Sequence, residues 1–155
     1  MKLEWRVASD DDAKLLAGFW CWSGGEDYWA EEVENHIRGW VLSRSDVTLL
    51  FTEQAELVAV SAFSRRNVDM RTAVVPGWLL DVVAVDLHRQ GEGLASEVFA
   101  GTFEAMKMAD PDRVVVSAKV HDQNLVSRSA ATRAGITALR PLADGYWEFL
   151  GTTPL

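Results

Sequence analysis

Leu79-Leu80-Asp81-Val82-Val83-Ala84-Val85-Asp86-Leu87-His88-Arg89-Gln90-Gly91-Glu92-Gly93-Leu94-Ala95-Ser96 is the stretch that decides the fold. Its first seven residues form an apolar run broken by Asp81, the pattern of a central strand buried on both faces. Gly91 and Gly93 then stand where the strand gives way to a helix, marked by Leu94, Val98, Thr102, Ala105 and Met106 and stopped near Met108 by Asp110 and Pro111. Without Cβ atoms such a turn lets backbone approach a ligand closely, and the free N–H groups of a first helical turn attract phosphate. A plain tight turn uses the same glycines, so the residues alone leave both readings open. Two other phosphate motifs fail. No Gly-Lys-Ser/Thr follows, and Ser96 stands where a dinucleotide fingerprint needs its third Gly or Ala, while the next strand ends in Lys119-Val120-His121 without an acid.

Downstream, Val114 to Val120 reads as a strand, Asn124 to Ala134 as a helix closed by Gly135, and Tyr146 to Leu150 as a final strand. Upstream, Leu3, Trp5 and Val7 alternate with polar residues as a first strand. Ser9 and Asp12 resemble a capping box opening a short helix through Leu15, Leu16 and Phe19, which Ser23-Gly24-Gly25 breaks. A second helix is predicted over Asp27 to Leu42, where Trp29, Val33, Ile37, Trp40 and Val41 recur at helical spacing. Val47 to Thr52 and Leu57 to Phe63 read as a hairpin, and Ser64 to Gly77 as a polar loop. The order βααβββαβαββ predicts one α/β domain with a mixed sheet, in which the unit from 79 to 120 is a right-handed parallel crossover.

A chain of 155 residues buries roughly 68–70% of its unfolded surface, enough for one core and too little for two full domains. Its 23 acids against 15 bases give a net charge of −8, which argues against nucleic acid or a membrane surface as partner, since both are polyanions. Cys21 is the single cysteine, and no Cys/His cluster has metal-ligand spacing, so neither a disulfide nor a metal is expected. The N-terminal Met-Lys-Leu-Glu-Trp-Arg has no apolar signal core and no apolar run reaches the ~20 residues of a membrane span, so a cytoplasmic location is expected. Residues 1 to 60 hold 12 acids and 5 bases and five of the seven tryptophans, so that part is both acidic and aromatic.

Two blocks of the sequence resemble the GNAT superfamily of acyl-CoA-dependent N-acyltransferases. Gln90-Gly91-Glu92-Gly93-Leu94-Ala95 fits the family's Q/R-x-x-G-x-G/A pyrophosphate signature, preceded by Val83-Ala84-Val85 as the end of its fourth strand. Asn124, Ser127, Arg133 and Gly135 fit its N-x-x-S-x(5)-K/R-x-G-F segment, with Ile136 where Phe is usual. The resemblance covers 79 to 136 by motif and the whole chain by element order. It implies a single-domain GNAT fold, a mixed, mostly antiparallel sheet with the parallel crossover at its centre, and acetyl-CoA as cosubstrate.

The resemblance further implies that the main chain of Val83 and Val85 pairs with the pantetheine arm and that Gln90 opens the pyrophosphate loop. The N–H groups of Gly91, Gly93, Leu94, Ala95 and Ser96 then hold the pyrophosphate, Asn124 contacts the cofactor or its water, and Arg133 meets the 3′-phosphate or is simply a solvated charge. Direct transfer to an amine needs a base. Asp81 is the candidate, expected on the same alternating face as Val83 and Val85; its plainer reading is an ion pair with Arg65, Arg66 or Arg71. His121 is a second candidate. The family's usual acid, a Tyr seven residues after the Asn, is replaced by Ala131, which leaves Ser127, His121, a water or an unassisted thiolate.

The expected activity is acetyl transfer to a primary amine, a small molecule or peptide, in a ternary complex. The acidic, tryptophan-rich first part builds the acceptor side in this family, which points to a cationic acceptor. Alternatives are a macromolecular acceptor and a non-catalytic acyl-CoA sensor. The macromolecule could be a protein N-terminus or aminoacyl-tRNA, because Phe19-Trp20-Cys21 and the helix after it resemble toxin-type members that modify charged tRNA. The tRNA version needs Arg65, Arg66, Arg71, Arg128 and Arg140 to converge, and the tryptophans equally suit a homodimer interface.

Overall fold

The apolar run is the second half of a 12-residue strand, β4 (Val74–Val85), in a computed structural model that describes residues 3–40, 45–112 and 114–154. The other elements are β1 (Glu4–Val7), α1 (Ala13–Ala17), α2 (Tyr28–Arg38), β2 (Val47–Glu53), β3 (Glu56–Asp69), α3 (Leu94–Ala109), β5 (Val115–His121), α4 (Leu125–Arg133), β6 (Thr137–Pro141) and β7 (Tyr146–Thr152). They form one seven-stranded sheet in the order β1-β2-β3-β4-β5-β7-β6, antiparallel throughout except for the parallel β4–β5 pair that α3 connects.

Two local readings change. The expected loop over 64–77 is strand: β3 runs on to Asp69 and β4 begins at Val74, their ladder continuing through Arg65↔Trp78 to Asp69↔Val74. Backbone pairing holds this hairpin although Ser64, Arg65, Arg66 and Asn67 lack the alternation by which a half-buried strand is read. Helix α2 stops at Arg38 with Gly39 at its C-cap, and residues 41 and 42 of the expected longer helix lie outside the described ones.

The sheet has an apolar layer on each face. On one, α3 and α4 cover Phe63, Leu80, Val116, Ala118 and Phe149 through Leu94, Val98, Phe99, Phe103, Ala130 and Ala131. On the other, Leu16 of α1 and Ile37 of α2 cover Leu50, Val60, Ala62, Val82 and Ala84.

Leu80 and Val82 share a parity yet face opposite layers, because Ala62 pairs with Val82 while Phe63 pairs with Leu80, leaving Asp81 as the extra residue of a β-bulge. Asp81 therefore turns to the α1/α2 face, where it meets Ser64, while Val83 and Val85 pack toward α3 and α4. The expectation that these three share a face is corrected by that bulge.

The start of α1 is fixed electrostatically. Asp12 takes Arg6 Nη1 and Nη2 at 2.8 and 2.7 Å and the Ser9 N–H at 2.8 Å, the reciprocal contact expected of a capping box. The Arg6 guanidinium and that N–H hold the Asp12 carboxyl down at about 2. An ordinary Asp titrates near 3.9, so this contribution is complete above about pH 4 and is lost as pH falls towards 2. Asp12→Asn should cost on the order of 1–2 kcal/mol at pH 7 in urea unfolding, a deficit that shrinks below about pH 4 and closes only as the pH falls through about 2. A deficit constant with pH would contradict the assignment.

Candidate functional site

The bulge is also where the sheet opens. Pairing between β4 and β5 runs from Gly77↔Val115 to Leu80↔Ala118 and stops, so Asp81–Val85 and Lys119–His121 form the two lips of a split. Each lip is anchored on its outer side, by β3 and by β7. The Asp86 N–H donates to the Val58 carbonyl at 2.7 Å; two-residue alternation then turns the peptide groups of Ala84 and Val82 to β3 and those of Val83 and Val85 into the split. The Val85 carbonyl is taken by Gln90 Nε2 at 3.0 Å, which also donates to the Cys21 carbonyl at 3.0 Å. Gln90 thus staples the glycine loop to the strand end and to the segment before α2.

Other contacts hold the same loop. Leu87 N–H reaches the Trp20 carbonyl at 2.8 Å, Asp86 accepts His88 N–H at 2.9 Å, and Arg89 spans Glu53 at 3.1 Å and Glu92 at 2.9 Å. Gly91 and Gly93 both take left-handed backbone, with φ of 84° and 77°, and Gly93 is the N-cap of α3. No side chain caps that end, so the first N–H groups of a 16-residue helix, those of Leu94, Ala95 and Ser96, face outward beside the split. Buried Leu94 pins the helix start from below. This end has the donor set for an anion.

Between α3 and α4 lies a groove of about 440 Å³, with Ser96, Ala100, Phe103, Ala130 and Ala134 along it and exposed Arg133 at its rim. Asn124 caps α4, its Oδ1 accepting the Ser127 N–H at 3.3 Å, which leaves the amide NH2 as its available donor. Ser127 is half-buried in the first turn of α4, and Ala131 is wholly buried in the core.

On the α1/α2 face, Asp81 Oδ2 accepts Ser45 Oγ at 2.7 Å and Ser64 Oγ at 2.8 Å. The plainer reading of Asp81 as an arginine's partner is not what forms: Arg65 pairs with Asp110 at 2.6 Å and stacks 3.9 Å over Trp78. His121 is buried among aromatic rings. Trp29 stacks on it at 4.4 Å, and Tyr28 and Tyr146 meet it edge-on at 5.1 Å each. Gln123 N–H donates to Nδ1 at 3.2 Å, which makes Nε2–H the donor to Tyr28 Oη at 2.7 Å, whose own O–H goes to the Asp144 carbonyl at 2.9 Å. Burial and the Glu32 carboxylate, which accepts from its hydroxyl at 2.9 Å, hold the Tyr146 phenol well above its usual range. Tyr28 and the serines on Asp81 were not singled out in the sequence, because contacts across 93, 36 and 17 residues leave no local signal.

Several N-terminal acids are spent internally. Asp12 holds Arg6, Glu53 holds Arg89, Glu32 holds Tyr146, and buried Glu34 accepts the Cys21 and Trp22 N–H groups at 2.9 and 3.3 Å. Of the tryptophans before, within and just after α2, Trp29 lines the split end, Trp20 is exposed, and Trp22 and Trp40 donate to the Gly25 carbonyl and to Thr48 Oγ1. Of the five arginines, Arg71 and Arg140 meet at Asp69, Arg71 through its backbone N–H and Arg140 through Nη2, while Arg65 lies by Asp110 at the end of α3 and Arg128 bonds the Asp122 carbonyl. Burial, then Glu34, pushes the Cys21 thiol up to about 12. Among the described residues there is no His/Cys/Asp/Glu group able to hold a metal and no helix long and apolar enough to cross a membrane.

No protein-family model and no curated protein sequence matches the chain. Solved structures do. A putative GNAT-family acetyltransferase from Desulfovibrio desulfuricans superposes with a TM-score of 0.62 at 16% identity over 97% of each chain. The PaiA N-acetyltransferase of Thermoplasma acidophilum, in complex with coenzyme A, gives 0.68 at 16% identity over 97% of this chain and 99% of that one. A chain of the NatC complex bound to Gag peptide and CoA gives 0.64 at 11% identity over 100% and 99%. With the glycine-capped helix beside a split between the fourth and fifth strands, these likenesses show that the chain has the GNAT acetyltransferase fold.

Proposed function

We propose that the protein is an N-acetyltransferase that moves acetyl from acetyl-CoA directly to a primary amine of a small molecule or peptide. The observation that carries this is the split itself: an open strand edge at Val83 leads to an uncapped helix N-terminus at Gly93, so pantetheine and pyrophosphate find their donors in one line. PaiA in complex with CoA and NatC bound to peptide and CoA, both on this fold, support the same reading. Acetyl-CoA supplies the thioester: its carbonyl carbon gains the amine nitrogen as the C–S bond breaks and CoA leaves as the thiol.

The chain's own residues do the rest. Leu94, Ala95 and Ser96, with Gly91 and Gly93, receive the pyrophosphate on their N–H groups, and the Asn124 amide and Arg133 steady the arm and the 3′-phosphate. The Val83 N–H polarises the carbonyl of the acyl group. Asp81, fixed by Ser45 and Ser64, takes the proton the amine must lose. Both ring nitrogens of His121 are engaged, so its part is to hold Tyr28 and Trp29 over the split end rather than to carry protons. Ser127, one turn of α4 before the position of the replaced acid, is then the hydroxyl that returns the proton, and a thiol with a pKa of about 8.5 leaves with little help. The Cys21 thiol, shifted up and buried, does not serve as a covalent carrier.

The test is release of free CoA thiol from acetyl-CoA across a panel of amines. Amine-dependent release well above hydrolysis is expected. CoA binding without any such release would favour the sensor.

A further inference from the structure

We propose that the acceptor is a zwitterion, an amine with an anionic group close by on the same molecule, as in a free α-amino acid, and that Lys119 is the residue that selects it. This rests on the acetyltransferase reading and names the substrate class of that site. Two opposite charges face each other across the opening of the split. Asp81 and Lys119 are the first residues beyond the last paired rung, Leu80↔Ala118, one on each lip of the split. Ala118 and Val120 pack toward α3 and α4, so Lys119 projects to the α1/α2 face, as Asp81 does.

Neighbouring parallel strands lie about 4.8 Å apart where they pair, a spacing at which facing Asp and Lys side chains ordinarily join. Here, among the described residues, neither is in an ion pair. Each is drawn to its outer side. Asp81 is held toward β3 by Ser64 and by Ser45, and Lys119 leans toward β7, its Nζ 4.3 Å over the Tyr146 ring. The acid opposite Lys119 across the β5–β7 ladder is Glu148, and Arg140 has taken it, with Nε and Nη2 at 2.9 and 2.8 Å from Oε1.

The result is a divided pair: a carboxylate able to receive an amine proton, and, across the gap, an exposed ammonium whose acidic neighbours are already committed. An amine bearing a carboxylate closes that gap with both ends matched, its nitrogen at Asp81 and its anion at Lys119. An amine alone leaves Lys119 unmatched, and the spent N-terminal acids do not add a second cation-binding group there. The Tyr146 ring lies under Lys119, and those of Tyr28 and Trp29 pack on His121 two residues further along the same lip, where they can cover an apolar side chain.

The test compares an equimolar mixture of the common α-amino acids with the matching mixture of their α-amides. Two readouts are taken: thiol release from acetyl-CoA, and the acceptor-dependent rise in Tm of the CoA-bound protein. The wild type should favour the acids by about tenfold or more in kcat/KM and show the Tm rise with acids alone. Lys119→Met keeps the stem over Tyr146 but removes the charge; it should bring the ratio to about one by raising KM for the acids, and Lys119→Arg should restore much of the preference. Equal use of acids and amides by the wild type, or a preference that survives in Lys119→Met, overturns the proposal. Absence of thiol release with an acid-specific Tm rise would refute acetyl transfer while upholding zwitterion binding. Absence of both overturns the proposal as well.

Discussion

Replacing Gly93 by aspartate should abolish the rise in Tm that acetyl-CoA gives the wild-type chain. Gly93 is the N-cap of α3 at φ 77°, and a Cβ placed there meets nothing within 4 Å, so the substitution causes no clash in the free protein. Left-handed backbone costs a non-glycine residue about 1–2 kcal/mol, a loss the free protein shows as a lower starting Tm. The decisive effect is on the ligand. A carboxylate at the end of α3 satisfies the outward N–H groups from within the chain and puts negative charge where a pyrophosphate must sit. At a ligand concentration of 100 times Kd, binding stabilises by about 2.7 kcal/mol, or roughly 5–10 °C for a chain of this size, and that whole shift should vanish. Gly93→Ala, with the same backbone cost and no charge, should keep part of it. An undiminished shift in Gly93→Asp would place the cofactor elsewhere.

What could be read from the sequence and what could not separate along a physical line. The run Leu79–Val85, the turn at Gly91 and Gly93 and the cap at Asn124 are local: each follows from burial, backbone freedom or a side chain reaching its own neighbours. The predicted order of eleven strands and helices is the observed one, and ten of them followed from such local signals, whereas β6 (Thr137–Pro141) had a place in that order but no residues assigned to it. The far half of the β3–β4 hairpin was missed because its pairing is backbone to backbone and Ser64-Arg65-Arg66-Asn67 show no apolar alternation. The bulge at Asp81 belongs to the register between two strands, so a count of alternating residues along one of them put its side chain on the wrong face. The enclosure of His121 by Tyr28, Trp29 and Tyr146, and the capture of Glu148 by Arg140, likewise exist only once separate elements are packed.

The bulge is what makes the second large effect specific to Asp81. Asp81→Asn should lower the rate of amine acetylation at pH 7 by about 10²–10⁴. An Asn carbonyl oxygen can still accept from Ser45 and Ser64, so the side chain keeps its place on the α1/α2 face and the loss is one of basicity. An alkylamine titrating near 10.4 is almost wholly protonated at neutral pH, and freeing it costs about 4.6 kcal/mol at pH 7, a cost that shrinks as the pH rises. The deficit of the variant should therefore be greatest at low pH and should narrow steadily towards pH 10, where solvent has removed the proton already. Profiles of log rate against pH that run parallel from pH 6 to 10 would mean that Asp81 only positions the acceptor. Ser64→Ala separates the two roles further: with one of its two fixing hydrogen bonds gone, the carboxylate keeps its basicity but loses its aim, so kcat should fall while the shape of the profile stays that of the wild type.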